Sequence, residues 1–418
     1  MTLILCLLAR NAGAQFLKYT PPGGPPETPE SRKEAIEREV KEARYHLGPV
    51  RIAPWMTLRD IAYVRNLFAT GRTPPNDWTA TAGVGFRAYL RNGPKATWSA
   101  QVLPEYLWWQ RQDERRRLNG RYLLGFYGYF NRLTLEVRGG REQQQQIVTP
   151  EVPVPVSSRI DGGEVLAELE LARAFFAFAA VSVNRQNNLV EDLGDSRTEG
   201  LVLLDREERV TRAGLRWQPD PKLSVALGAE HSEVDFDRSA LGTVDRSNSG
   251  TAPVAEIRLE RRHLRFEADA AARSLEARRG AEFVPYDKVT GKAAFTVGNR
   301  SRLSATLYGS HDLVYALSPL YAYLDDERVG LAVTLDFGRR SQGRVFAETG
   351  SDTYSAFAAG TPRRRDDVSS YGAGLTFGLG RHLSLGLQAL RSEFNSNVPG
   401  GDRTYTAVGT TINLVGGK

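Results

Sequence analysis

The stretch Trp78-Thr79-Ala80-Thr81-Ala82-Gly83-Val84-Gly85-Phe86-Arg87-Ala88-Tyr89-Leu90 changes side at every residue. Trp78, Ala80, Ala82, Val84, Phe86, Ala88 and Leu90 make one greasy row, and Thr79, Thr81, Gly83, Gly85, Arg87 and Tyr89 stand between them. A two-residue period belongs to a β-strand, whose side chains point alternately to opposite faces of a sheet. The same period starts near Val50, restarts about eighteen times and runs to Leu414, with turns and no helical pattern in between. That pattern describes an all-antiparallel sheet.

Two architectures share this periodicity. In a soluble sandwich the polar face meets water, whereas in an outer-membrane barrel the greasy face meets lipid and the polar face lines a lumen. The chain has 418 residues, and no linker interrupts the strand pattern between residues 50 and 414, so one large closed sheet fits better than several domains. A mean hydropathy of −0.39 does not argue for solubility, because barrel strands hide their apolar half in an average. Aromatics near strand ends, namely Trp78, Tyr106, Trp108, Phe130, Trp217 and Phe337, suit the two interfacial girdles of a membrane barrel. In a soluble protein the same residues would be core.

Turn lengths set the topology. Short, basic turns are expected at 91–95, 131–132, 173–174, 218–222, 262–263, 298–302, 338–342 and 378–382, alternating with longer connections such as 141–163, 187–206, 236–250 and 353–367. Eight short turns and nine longer loops require eighteen strands, with both ends of the sheet on the short-turn side, the periplasm in bacterial barrels. An internal repeat agrees with the count: Lys222-Leu223-Ser224, Arg302-Leu303-Ser304 and His382-Leu383-Ser384 each follow a short turn, eighty residues apart. Eighty residues make two hairpins.

Register follows from the same turns. With Arg262 and His263 as a turn, Glu260 faces Arg265 and Arg258 faces Glu267 on one side, while Leu259 faces Phe266 and Ile257 faces Ala268 on the other. Glu256 then faces Asp269, a like-charge pair that needs a cation from nearby. At the Asn131 turn, Phe126, Phe130, Leu133 and Val137 face out, and Gly125, Tyr127, Glu136 and Arg138 face in.

The N-terminus differs in kind. Leu3 to Leu8 is a short apolar core and Ala12-Gly13-Ala14 a small-x-small cleavage site, so residues 1–14 read as an export signal. The single cysteine, Cys6, lies within it, which leaves the remaining chain without disulfides, thiol chemistry or cysteine metal ligands. Residues 15–47 form the next unit. Pro21, Pro22, Pro25, Pro26 and Pro29 with Gly23 and Gly24 mark an extended linker, and Glu30 to Leu47 carries Ile36, Val40, Ala43 and Leu47 on one helical stripe. Ser31 and Glu34 have capping-box spacing, and Glu34 to Arg38 and Glu37 to Lys41 add pairs one turn apart. The plain reading is a solvated periplasmic helix; the sharper one is a helix that folds into the barrel and narrows it. Residues 48–418 are the barrel.

The lumen-facing register collects Arg87, Glu105, Arg121, Glu136, Arg138, Glu164, Glu168, Glu170, Arg212, Arg216, Glu230, Arg258, Glu260, Arg265, Glu267, Lys292, Arg328, Asp336, Arg344 and Glu348, with both signs in similar numbers. Such a ring of charges either sets a transverse field for polar solutes or simply pairs along the wall. Inward Tyr89, Tyr127, Tyr129 and Tyr308 are candidates for stacking on sugar rings or for structural packing.

Pro54-Trp55-Met56-Thr57-Leu58, leading to Tyr63-Val64-Arg65-Asn66-Leu67-Phe68, together with the hairpin ladder that follows, resembles the β-barrel porin family of the second type. Outer-membrane proteins of exopolysaccharide-secretion loci belong to that family. The resemblance implies a channel in the outer membrane, with exported polysaccharide as solute. The location implies contact with lipid, lipopolysaccharide and the barrel-assembly machinery, and a closed barrel binding a periplasmic partner is the alternative.

An outer-membrane hydrolase is the rival from another class, and it needs a base beside a nucleophile. There are five histidines. His263 and His382 lie in short turns and His46 in the tail; His231, Glu233 and Asp235 share a strand face, but it is the lipid side; His311 with Asp312 sits near an outer strand end. No phosphate loop, dinucleotide-binding glycine pattern or zinc-ligand spacing appears, so neither catalytic residues nor a cofactor nor a metal is expected. The net charge of +6 invites nucleic acid, but the arginines interleave with acids instead of forming a patch.

Overall fold

The computed structural model describes residues 19, 32–43, 45–65, 77–152, 155–190, 200–237, 245–278, 280–299, 302–337, 341–379 and 383–415. The expected export signal, the proline linker and the capping serine Ser31 lie outside the described residues. One helix, α1 (Arg32–Glu42), precedes a three-residue strand, β1 (Tyr45–Leu47). Eighteen long strands follow: β2 (Val50–Arg65), β3 (Asp77–Asn92), β4 (Ala96–Trp109), β5 (Arg117–Tyr129), β6 (Leu133–Gln146), β7 (Val156–Ala172), β8 (Phe175–Asn188), β9 (Arg206–Asp220) and β10 (Leu223–Phe236). The second half comprises β11 (Asn248–Arg261), β12 (Leu264–Ala277), β13 (Tyr286–Asn299), β14 (Leu303–Tyr315), β15 (Tyr321–Asp336), β16 (Ser341–Ala356), β17 (Arg365–Leu379), β18 (Leu383–Ser396) and β19 (Arg403–Val415).

Each strand from β2 to β19 pairs antiparallel with its neighbours in sequence, and β19 returns to β2, with Val415 opposite Trp55 and Thr406 opposite Arg65. The β19–β2 pairing closes the sheet of long strands on itself. β1 pairs with β2 at Tyr45–Ile52 and Leu47–Val50, on the stretch of β2 beyond the end of β19.

The apolar rows lie outside. Val84, Leu124, Leu215, Leu227, Leu307 and Val345 are each more than half exposed, an arrangement that water would penalise and lipid rewards. The six aromatics expected at interfaces are all exposed as well, Trp78, Tyr106 and Trp108 near the long-loop ends of their strands, Phe130, Trp217 and Phe337 near short turns. They form two girdles, and the soluble-core alternative falls.

The register at the Arg262 turn is the expected one, with Glu260 opposite Arg265, Arg258 opposite Glu267 and Glu256 opposite Asp269. The like-charge pair has its cations: Arg212 lies 3.4 Å from Glu256, and Lys292 stands opposite Asp269 on β13. The Asn131 hairpin also pairs as read, Phe126 with Val137 and Tyr127 with Glu136. Leu223-Ser224, Leu303-Ser304 and Leu383-Ser384 of the repeated tripeptides open β10, β14 and β18.

Two expectations change. The long connections are shorter than the alternation suggested, because β6 continues to Gln146, β7 starts at Val156, β11 at Asn248 and β17 at Arg365. Hydrophobic alternation marks only the length of strand that lipid covers; the backbone ladder, Gln143 with Arg159 and Gln146 with Val156, runs on where both faces are polar. The helix is also shorter than the stripe. It ends at Glu42, and Leu47 belongs to β1, because Gly48 takes a left-handed φ of 59° and folds the chain back as a hairpin into β2.

Candidate functional site: the barrel interior

The inward register carries charge, and most of it is paired along the wall, within a strand or between strands one or two apart. Arg138 pairs with Glu164, Arg216 with Glu168, and Arg121 with Glu142 at 2.8 Å. Arg212 and Arg273 converge on Glu230 at 2.5 and 2.8 Å. Glu267 takes Arg265 at 2.7 Å and Arg258 at 3.4 Å, with Glu260 opposite Arg265 in the ladder. Lys292 meets Asp312 at 3.0 Å, and Arg59 grips Glu105 through two hydrogen bonds of 2.9 Å. Glu136 is buried on the same register, and Arg344 lies over the Phe346 ring at 5.9 Å. Unpaired, each of these ions would lose hydration without return, so the pairing stabilises the wall as well as colouring it.

The interior is not an open tube at either end. Toward the short turns, α1 packs its apolar stripe of Ile36, Val40 and Ala43 onto Tyr89 and Tyr127, with Ala53 and Tyr129 beside them. Its polar side is held by charge. Glu39 accepts from Arg87 Nη1 at 2.8 Å and from the Tyr89 hydroxyl at 2.6 Å, and Arg51 donates to the Val40 carbonyl at 3.1 Å. The solvated-helix reading therefore gives way to the docked one. Tyr89 and Tyr127 are covered by the helix and pack structurally; Tyr308 hydrogen-bonds Glu348 at 3.0 Å, with its ring across Gly330, where any Cβ would clash.

Toward the long loops, an apolar core fills space inside the sheet. Val148 and Val152 from the β6–β7 connection, Leu201 and Leu204 from the 3-10 turn Gly200–Leu204, Phe283 and Leu317 pack with Leu107, Trp109, Tyr315 and Tyr323 of the wall. Glu151 pins this loop. Its carboxylate accepts from the backbone N–H of Leu317, and from Arg364 Nη1 at 3.1 Å, while Arg403 Nε donates to the Pro150 carbonyl at 2.7 Å. Arg403 and Arg364 both meet Asp366 at 2.8 Å, and Tyr354 adds its hydroxyl at 3.2 Å. Beside them Arg328 gathers Asp326, Asp352 at 2.9 Å and Glu348 at 3.8 Å.

Of these central residues, Arg328 and Glu348 stand in the sequence-derived set; Glu39, Glu151, Arg364, Asp366 and Arg403 do not. Glu151 sits in Ile147-Val148-Thr149-Pro150-Glu151-Val152, too apolar for a solvated loop. That composition was the available signal. The hydrolase candidates do not assemble: His231 is exposed and 3.4 Å from Glu233, and Arg278 takes Asp235 at 2.5 Å. Among the described residues no group of three or more His, Cys, Asp or Glu is placed to hold a metal ion.

No known protein family matches the sequence, and no curated protein is significantly similar to it. Solved structures do match. OccAB3 of Acinetobacter baumannii aligns over 87% of this chain and 99% of its own, with a TM-score of 0.52 at 12% identity. OccK2 (OpdF) of Pseudomonas aeruginosa, solved in complex with glucuronate, gives the same score and identity over 87% and 98%. The outer membrane protein OpdK of the same organism reaches 0.52 at 9% identity. The fold is that of an outer-membrane β-barrel porin. At these identities the likeness concerns architecture alone, and it carries no association with exopolysaccharide secretion.

Proposed function

We propose that this barrel is a passive outer-membrane channel for small polar solutes, narrowed from within by α1. The observation that carries the reading is a closed eighteen-strand sheet, apolar outside and charged inside, since a sheet of that size encloses an aqueous channel unless something fills it. Both signs of charge face the interior, which suits hydroxylated or anionic solutes held by arginine on one side and carboxylate on the other. The glucuronate in OccK2 is a solute of that kind in a barrel of similar architecture.

Export of a polysaccharide, the solute first suggested by the resemblance, has no support from the similar structures, and both α1 and the loop core occupy the interior. The same two obstructions favour a closed resting state over a permanently open pore. Planar-bilayer recordings decide between these. The full-length barrel is expected to conduct weakly and the form lacking residues 15–47 strongly; if neither conducts, the channel reading fails and the closed adaptor barrel replaces it.

A further inference from the structure

The short-turn end of the barrel carries cations that the wall does not neutralise. In the β3–β4, β5–β6, β7–β8, β9–β10, β11–β12 and β13–β14 turns stand Lys95, Arg132, Arg173, Lys222, Arg262 and Arg302, all exposed, and no Asp or Glu lies within those connections. Among the described residues none of the six forms an ion pair with a carboxylate; Lys95 Nζ donates to the neighbouring turn at Asn131, 2.8 Å away. Exposed arginines at the opposite end behave differently. Arg141 meets Asp161 at 2.5 Å, Arg185 meets Asp237 at 2.8 Å, Arg209 meets Glu207 at 2.6 Å and Arg391 meets Glu393 at 2.6 Å. Charge there closes on itself, whereas at the short turns it is left for a partner outside the chain.

Position says what that partner is. The turns lie directly beyond the lipid-facing rows: exposed Leu133 follows Arg132, Leu171 and Phe175 flank Arg173, and Leu303 follows Arg302. Phe130 and Trp217 of the aromatic girdle belong to the hairpins of Arg132 and Lys222, and Arg261 continues the outward row of Ile257 and Leu259. The cations therefore stand where acyl chains give way to headgroups, with stems long enough to lie along the apolar band. They are spread from β3 to β14. A compact protein partner would meet one arc of such a ring, while a shell of lipid meets all of it.

We propose that these six turns bind the phosphodiester groups of anionic phospholipids in the periplasmic leaflet. The proposal rests on the barrel and its lipid-facing surface, and it stands or falls separately from the channel reading. Arginine and lysine attract phosphate at a membrane surface, and a zwitterionic headgroup brings its own ammonium to offset that attraction, so lipids with net negative charge are favoured.

The test uses the full chain refolded into phosphatidylcholine vesicles that carry a trace of spin-labelled phosphatidylglycerol or spin-labelled phosphatidylcholine, and reads the motionally restricted fraction of each label. Phosphatidylglycerol is expected to be enriched several-fold at the protein surface, and molar salt to reduce that enrichment. Changing Lys95, Arg132, Arg173, Lys222, Arg262 and Arg302 together to Gln is expected to abolish it, whereas Arg185→Gln with Arg209→Gln leaves it unchanged. Heat-modifiable migration checks that each variant is folded; should the sixfold variant not fold, Arg132→Gln with Arg173→Gln and Lys222→Gln is expected to lose part of the enrichment. Equal restriction of both labels by the parent, or enrichment undiminished in these variants, would overturn the proposal. Binding of the parent but not of the variant to purified peptidoglycan, without any lipid preference, would likewise overturn it and assign the ring to the cell wall.

Discussion

At Glu39 one carboxylate satisfies a guanidinium and a phenol on a wall that the helix must otherwise meet with apolar side chains alone. Hydrogen bonds to a charged group contribute about 1.5–3 kcal/mol, and removing one partner strands the others. Glu39→Ala is therefore expected to loosen α1 from Arg87 and Tyr89, measured as faster proteolysis between residues 32 and 43 in the intact barrel. Unchanged cleavage would mean that the Ile36, Val40 and Ala43 stripe suffices. Glu151 plays the corresponding part at the opposite end, binding one loop to the Leu317 backbone and to Arg364. Glu151→Gln keeps the shape but weakens the ion pair, so current noise from a mobile loop is expected to rise while the barrel's melting temperature stays close to the parent's.

Hairpins test the sheet. The Arg262 turn was readable in the sequence because apolar residues on one face and opposite charges on the other agree on a single register, and a slip of one residue would invert both. Structure adds that Glu267 is nearer Arg265, at 2.7 Å, than its ladder partner Arg258, at 3.4 Å. Double-mutant cycles are thus expected to give Glu267 a larger coupling to Arg265 than to Arg258, each within roughly 0.2–1 kcal/mol for such surface pairs in a sheet. Strictly additive effects of the two single changes in each cycle would remove both contacts from the account. One two-residue hairpin carries a different signature: Ala174, between β7 and β8, has φ of 73°. A left-handed L-residue costs about 1–2 kcal/mol, so Ala174→Gly is expected to raise the midpoint of urea unfolding, partly offset by glycine's greater freedom in the unfolded chain.

Across the whole molecule, the closed sheet leaves two ends that face different compartments. Ala359→Cys, exposed in the long β16–β17 loop, is expected to react with an impermeant maleimide on intact cells, and Arg262→Cys in a short turn is not; the reverse result would invert the barrel. Asn248, which the alternation placed in a loop, is a poor site for this, since it is fully buried and hydrogen-bonded to Tyr315. The sequence by itself determined the strand count, the hairpin registers and the outward apolar face. All of these follow from a period of two and from turn composition, which act between residues close along the chain. Only the tertiary structure decided that α1 docks on Tyr89 and Tyr127 and that Glu151 reaches Leu317 and Arg364. Those contacts join segments separated by tens to hundreds of residues and form only once the barrel has closed and created an inside. An amphipathic stripe states that a face will be buried, but the surface that buries it exists only in the folded molecule.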